Sequence, residues 1–404
     1  MSSVILKPGR ERRLMAGHPW VYTGEIHSLT GTPVDGDAVG IRDHKNRSLG
    51  VGLLNQKSQI AVRRFSIDPA QEIDQSFLAA RIKAAWDHRR ACLDLAGVDA
   101  PDASVRVVFS ESDLTPGLIL DKYGDHVVVQ TLTLGMDQRK GWVIEVARDL
   151  FHPVAIIERN DVPSRRLEGL DQLTGVIHGK SSGMVQAGIR LGPGADQVLK
   201  FDVNLLEDQK TGLFLDQSVN YREVARHCAG KRVLDCFSYH GAFAIAAARA
   251  GASHVEAVEI SEAAVARARR NAELNGVTGK IEFVTANAFD LLKKSDAEKR
   301  TFDVIVLDPP TFTRTKQNVN DAVRGYKEIN LRALKMLKPG GVLATFSCSH
   351  HIHPEMLQAV IVDAAADARK MLRLIKRLWQ SPDHPILPAV PETEYLKGFL
   401  VEVI

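Results

Sequence analysis

Two residues stand where chemistry could be done. Cys348 follows the apolar run Val342–Ser347, inside Thr345-Phe-Ser-Cys-Ser-His-His351. Asp308 follows Phe302–Leu307 and leads into Pro309-Pro310-Thr311-Phe312. Two prolines fix the chain and remove backbone donors, so the carboxylate would sit on a stiff turn. A thiolate is a strong nucleophile. Carbon 5 of a pyrimidine is a poor one, but thiolate addition at carbon 6 makes carbon 5 carbanion-like and able to attack an activated methyl group. Loss of the carbon-5 proton then expels the cysteine. A carboxylic acid at the N3/N4 edge of the ring would stabilise the adduct, and Asp308 is the candidate. Phe312 is spaced to stack on a flipped base. Plainer readings stand beside these: a buried structural thiol for Cys348 and an ordinary turn for Asp308-Pro-Pro. No residue stands out as the base that takes the carbon-5 proton. His350 and His351 are candidates, or they cap the next helix. With no cysteine pair near His350, His351 and His353, no metal site is expected.

Such a pair has to be positioned by strands that end side by side. From about residue 186 strands and helices alternate: Arg232–Cys236, helix 241–250, His254–Glu259, helix 261–275, Ile281–Thr285, helix 287–295, Phe302–Leu307, helix 318–337 stopping at Pro339-Gly-Gly341, Val342–Ser347, helix 354–369. This predicts a doubly wound, mainly parallel sheet, with ligands outside the carboxyl ends of its strands. Two strands, Leu372–Trp379 and Leu396–Val403, close the chain with only a proline-rich loop between them (Pro382, Pro385, Pro388, Pro391), which implies an antiparallel last strand. After the first strand, Asp235-Cys-Phe-Ser-Tyr-His-Gly241 has one glycine, not the glycine series that brings backbone close to a pyrophosphate. Glu259 ends the second strand, where an acid accepts hydrogen bonds from ribose hydroxyls or marks a helix N-terminus. Asn287 follows the third strand and could read an adenine edge or cap a helix. An adenosine ligand without a diphosphate suggests S-adenosylmethionine.

The 404 residues exceed what a single core usually holds, and the 45% hydrophobic and 25% charged composition is that of an ordinary globular chain. Net charge is only +3, yet residues 1–67 carry +5 and the remainder −2. That basic piece reads as short strands punctuated by Pro8-Gly9, Gly31 and Asp35-Gly36, a small β-barrel; its charge suits a polyanion or a merely solvated surface. A helix from Asp74 to Ala96 follows, with Phe77, Leu78, Ile82, Ala85, Trp86 and Cys92–Leu95 on its apolar face. Strands at Val105–Ser110, Leu118–Lys122 and His126–Leu132, a helix at Met136–Leu150 and a strand at Ala155–Arg159 complete an α+β piece. The expected domains are therefore 1–70, 71–185 and 186–404. Four unspaced cysteines, no apolar leader and no 18-residue apolar run lead us to expect a soluble, cytoplasmic protein with no membrane contact.

Several strings together resemble a known family, the PUA-domain-containing ribosomal RNA large subunit methyltransferases of the I type. They are Leu6-Lys-Pro-Gly-Arg10, Gly17-His-Pro-Trp-Val21, Gln209-Lys-Thr-Gly212, Phe214-Leu-Asp-Gln217, Asp235 to Phe243, Asp308–Phe312, Arg324-Gly-Tyr-Lys-Glu-Ile-Asn330, Phe346-Ser-Cys-Ser349, Asp383-His-Pro385 and Tyr395-Leu-Lys-Gly-Phe399. The resemblance implies an N-terminal PUA RNA-binding domain, a small central α+β domain and a class I, Rossmann-like methyltransferase domain. It implies formation of 5-methylcytosine in 23S rRNA, with Cys348 as nucleophile and S-adenosylmethionine as cofactor. Asp235, Phe237, Ser238, Gly241, Glu259, Asn287 and Asp308 would hold the cofactor; Arg10, Arg12, Arg13, Phe312 and His384 would meet RNA. A homodimer is a further expected assembly. Two departures from the pattern stand out: His350-His351 after the cysteine, and Asn287 where many relatives carry Asp. The rival readings are a guanine-N methyltransferase that does not use Cys348, a nicotinamide oxidoreductase, and a non-catalytic RNA-binding protein.

Overall fold

The computed structural model describes residues 2–93, 98–192, 197–313 and 316–404. The chain forms two compact units. The first runs to Gly188 and also takes in Val203–Leu215 and Pro382–Thr393; the second holds Ile189–Asp202, Asp216–Ser381 and Glu394–Ile404.

The first unit opens with β1 (Ser3–Leu6), the one-turn helix α1 (Arg12–Met15), β2 (Trp20–Tyr22), β3 (Ile26–Thr30), β4 (Ala38–Arg42), β5 (Ser48–Leu54) and β6 (Ile60–Ser66). These strands make one sheet in the order β2-β6-β5-β4-β1-β3. Its two edge strands are consecutive in the chain and joined by Thr23–Glu25 alone, so the sheet has to roll until its edges approach each other. Val4, Leu6, Val21, Val39, Ile41 and Val62 fill the inside. Next comes α2 (Gln75–Cys92), capped by Asp74, whose carboxylate accepts from Phe77 N at 2.8 Å. The expected end of this helix at Leu95 and Ala96 lies outside the described residues.

A five-stranded sheet follows, in the order β11-β10-β9-β8-β7. It is built from β7 (Ser104–Phe109), β8 (Leu118–Tyr123), β9 (His126–Thr131), then α3 (Leu134–Asp137) and α4 (Lys140–Phe151), then β10 (Ala155–Arg159) and β11 (Thr174–Gly179). Phe77, Leu78, Ile82, Ala85 and Trp86 of α2 share a core with this sheet. The single helix expected over 136–150 is two. Arg139 Nη1 takes the carbonyl of Gly135 at 2.8 Å, and the Arg139 amide turns to Met136 O instead. A side chain thus occupies the acceptor that a continuous helix would use. The sequence reading also passes over β11 and the two-stranded sheet of β12 (Met184–Arg190) and β13 (Val198–Asn204).

The second unit is α5 (Ser218–Ala225), β14 (Arg232–Cys236), α6 (Ala242–Arg249), β15 (His254–Glu259), α7 (Glu262–Leu274), β16 (Ile281–Thr285), α8 (Ala288–Ala297), β17 (Phe302–Leu307), α9 (Val319–Met336), β18 (Leu337–Ser347), α10 (Pro354–Asp367), β19 (Leu372–Trp379) and β20 (Lys397–Val403). Its seven strands run β16-β15-β14-β17-β18-β20-β19. The first five are parallel, and β20 lies antiparallel between β18 and β19. This is the doubly wound sheet with the antiparallel ending that the sequence implies. Pro339-Gly340-Gly341 is not a plain turn: β18 begins at Leu337 and the register slips between Phe302↔Leu337 and Val304↔Val342, so these residues bulge within the strand. Chain order reverses between β14 and β17, which makes their carboxyl ends the switch point where a ligand crevice opens. Among the described residues no helix is long and apolar enough to cross a membrane.

Candidate active site

The loop after β14 is strained and polar. Phe237 and Tyr239 adopt left-handed φ values of 65° and 46°, conformations that non-glycine residues hold only when the surroundings enforce them. Asp235 is buried; one carboxylate oxygen accepts from Ala244 N at 3.0 Å in the first turn of α6, while Oδ1 has no partner among the described residues. Burial, with the like charges of Asp308 and Glu259, pushes its carboxyl well above the ordinary range. Ser238 Oγ is likewise buried without a partner among the described residues. Gly241 has φ 81° and caps α6, and an added Cβ would press on Ala268 and Phe283. Its need for glycine is therefore explained by backbone conformation and packing alone.

Glu259, half-buried, accepts from Tyr239 N at 3.0 Å and from Ile260 N and Ser261 N at 2.9 and 3.0 Å. It thus ties the β14 loop to the start of α7, and both of its sequence readings stay open. Asn287 is exposed and caps α8 through Phe289 N at 2.9 Å.

At the neighbouring strand ends, Cys348 Sγ lies 3.1 Å from Thr311 Oγ1. The thiol is partly exposed. Thr311 belongs to the Asp308-Pro-Pro turn, so the two residues first singled out share one site. Asp308 Oδ2 accepts from Gln217 Nε2 at 2.9 Å, and Gln217 Oε1 accepts from Asn220 Nδ2 at 2.6 Å. Beneath the thiol, Ser347 Oγ donates to the buried Tyr326 hydroxyl at 2.9 Å, which also meets Ser349 Oγ at 3.1 Å. Burial raises that phenol to about 12. Phe312 packs against Tyr326 and Phe289, with ring centroids 4.5 and 5.6 Å apart.

The residues expected to meet RNA differ among themselves. Arg10 and Arg12 are exposed. Arg13 is engaged with Trp20 O and Glu25 and lies over the Tyr22 ring. His384 departs from the expectation: it is 2% exposed, with Nδ1 2.9 Å from Asp383 Oδ1. A proline-rich loop suggests surface, but Asp383 also accepts from Arg106 N and, through its carbonyl, from Arg89, which draws the loop into the first unit.

Two family models match this chain: a PUA-like domain over residues 4–66 and an S-adenosylmethionine-dependent methyltransferase over 194–401. It is 41% identical to the ribosomal RNA large subunit methyltransferase I of Shewanella amazonensis over 401 residues, 99% of each chain. The same-named protein of Aeromonas salmonicida is 38% identical over 404 residues, 98% of each. The chain belongs to the ribosomal RNA large subunit methyltransferase I family. A Streptococcus mutans structure described as a SAM-dependent methyltransferase has the same fold, with TM-score 0.81 and 18% identity over the whole of both chains.

S-adenosylmethionine is the cofactor of this family. The β14 loop fits such a group, since Asp235 Oδ1 and Ser238 Oγ are buried polar atoms awaiting partners. Sequence reasoning passed over Thr311, Gln217, Tyr326 and Lys397. All four lie inside family strings already noted, so the signal was a string and not a role.

Proposed function

We propose that this methyltransferase acts on carbon 5 of a cytosine in 23S ribosomal RNA, with Cys348 as covalent nucleophile. The observation that carries the reading is the 3.1 Å approach of Cys348 Sγ to Thr311 Oγ1, since it brings the thiol to the turn that bears Asp308. S-adenosylmethionine, when bound, supplies an electrophilic methyl group. The Cys348 thiolate would add to carbon 6, and the ring electrons would pass to carbon 5, which would bond the methyl as its bond to the sulfonium sulfur breaks and S-adenosylhomocysteine leaves. Loss of the carbon-5 proton to solvent would restore the ring double bond as the carbon–sulfur bond breaks and the thiolate leaves. Asp308, held by Gln217, would hydrogen-bond the N3/N4 edge.

Asp235, Phe237, Ser238, Gly241, Glu259, Asn287 and Asp308 are the residues we assign to the cofactor. The rRNA assignment is supported by the names of the full-length relatives and by the +5 charge of residues 1–67, which overlap the PUA-like match. We read 1–70 as RNA-binding, 71–185 as a central domain and 186–404 as catalytic, in an enzyme that meets its rRNA in the cytoplasm.

The test uses 23S rRNA with wild-type protein and Cys348→Ala. Bisulfite mapping should find a protected cytosine with wild-type protein and none with the variant. RNA carrying 5-fluorocytosine should give a denaturation-stable adduct with wild-type protein only. Undiminished methylation by Cys348→Ala, or a methyl group on a guanine nitrogen, would refute the reading.

A further inference from the structure

A buried lysine holds the backbone next to the residue that carries the thiol. Lys397 is 3% exposed and opens β20 opposite Ser347 of β18. Its ammonium donates to the carbonyls of Ser349 at 2.7 Å and Tyr395 at 2.9 Å. Burying a lysine is costly, and two carbonyl acceptors do not balance its charge. Burial draws its pKa down to about 8, and the facing Cys348 and Glu394 oppose that fall. The ammonium form therefore still prevails at neutral pH. Coupling of this kind is reciprocal: a thiolate that favours the ammonium is favoured by it to the same degree.

The geometry adds a second effect. Ser349 follows Cys348 directly, so Lys397 grips the backbone immediately behind the thiol. Tyr326 holds the hydroxyls of Ser347 and Ser349. The Ser347-Cys348-Ser349 turn is thus tethered both by the strand partner β20 and by helix α9. Burial raises the Tyr326 phenol, and the charges of Cys348 and Asp308 add to that rise.

We propose that Lys397 is the positioning residue for Cys348: it fixes the turn that carries the thiol, and its charge favours the thiolate once the thiol proton has passed to solvent. This rests on the reading of Cys348 as the nucleophile. The test is iodoacetamide alkylation of the full chain across pH 5.5–10, scored on the Cys348 peptide by mass spectrometry. In wild-type protein the midpoint should fall below the ordinary thiol value of about 8.5. In Lys397→Met it should rise by about one unit, so that alkylation at pH 7 slows about tenfold. Lys397→Arg, which keeps the charge, should restore most of that rate. An unchanged midpoint in a Lys397→Met chain that still binds S-adenosylmethionine by calorimetry overturns the proposal. If that variant fails to fold, a wild-type midpoint at or above about 8.5 overturns it instead. Alkylation does not depend on RNA chemistry. Methylation that survives in Cys348→Ala would therefore sink the cytosine-5 reading without touching the lysine–thiol coupling.

Discussion

The buried ammonium of Lys397 makes a thermodynamic prediction that needs no substrate. Its pKa is about 8 in the folded chain and 10.5 when exposed. Below pH 8 the group is protonated in both states, and the folded state bears the full cost of burying a charge. Between pH 8 and 10.5 the unfolded chain holds the proton while the folded chain gives it up. The unfolded state then binds more protons, and stability must rise with pH. Integrated from pH 7 to pH 9.5, the gain is about 2 kcal/mol. The perturbation is Lys397→Met, compared in a Cys348→Ala background so that the coupled thiol does not titrate. Removing the lysine also leaves the Ser349 and Tyr395 carbonyls without their donor, at about 1–3 kcal/mol each. The diagnostic is therefore the pH dependence of the difference, not its value at one pH. Urea unfolding of both chains at pH 7, 8, 9 and 9.5 measures it. Tyr123, Tyr326 and Cys228, whose pKa values burial raises, contribute equally to both chains and cancel. Without the thiolate, which holds the lysine pKa up, the lysine-containing chain should gain at least about 2 kcal/mol on its partner over this range. A difference flat to within about 0.5 kcal/mol would show that Lys397 titrates as an exposed group, and would refute the reasoning.

Two further substitutions test the scaffold. Arg89 is fully buried and donates to Arg106 O, Ala85 O, both Asp113 oxygens and Asp383 O. Arg89→Met strands a buried carboxylate and should cost about 3–5 kcal/mol in urea unfolding; a loss under about 1 kcal/mol would mean that the network is not rigid. At Gly398 an added Cβ would come within 2.4 Å of Phe346 Cδ1, and Phe346 is fully buried. Gly398→Ala should therefore cost about 1–3 kcal/mol by thermal unfolding, and an unchanged melting point would show that β18 and β20 can part without penalty.

The parallel strands were legible because each is a short apolar run that ends in a polar loop. Arg232–Cys236, His254–Glu259, Ile281–Thr285 and Phe302–Leu307 have the bounds their sequences imply. β11 was not, since it is half-exposed along its length and offers no apolar run. β13 did carry a signal: Phe201 and Val203 are buried between Lys200, Asp202 and Asn204. A reading that expects strand–helix pairs passes over a strand that belongs to neither sheet.

The site divides in the same way. Asp308 and Cys348 could be found because each sits just past the end of a strand, a place the chain itself marks. Lys397 could not, because its meaning depends on the antiparallel register Ser347↔Lys397, which no local pattern encodes. By sequence it is a cation at the start of an apolar strand, where an exposed lysine is the ordinary expectation. Only pairing with β18 buries its ammonium behind Ser349. The antiparallel ending, which the sequence already implies, thereby has a use. A parallel final strand would present its carboxyl end at this edge, whereas β20 presents its amino end, and with it Tyr395 and Lys397, to the loop that carries the thiol.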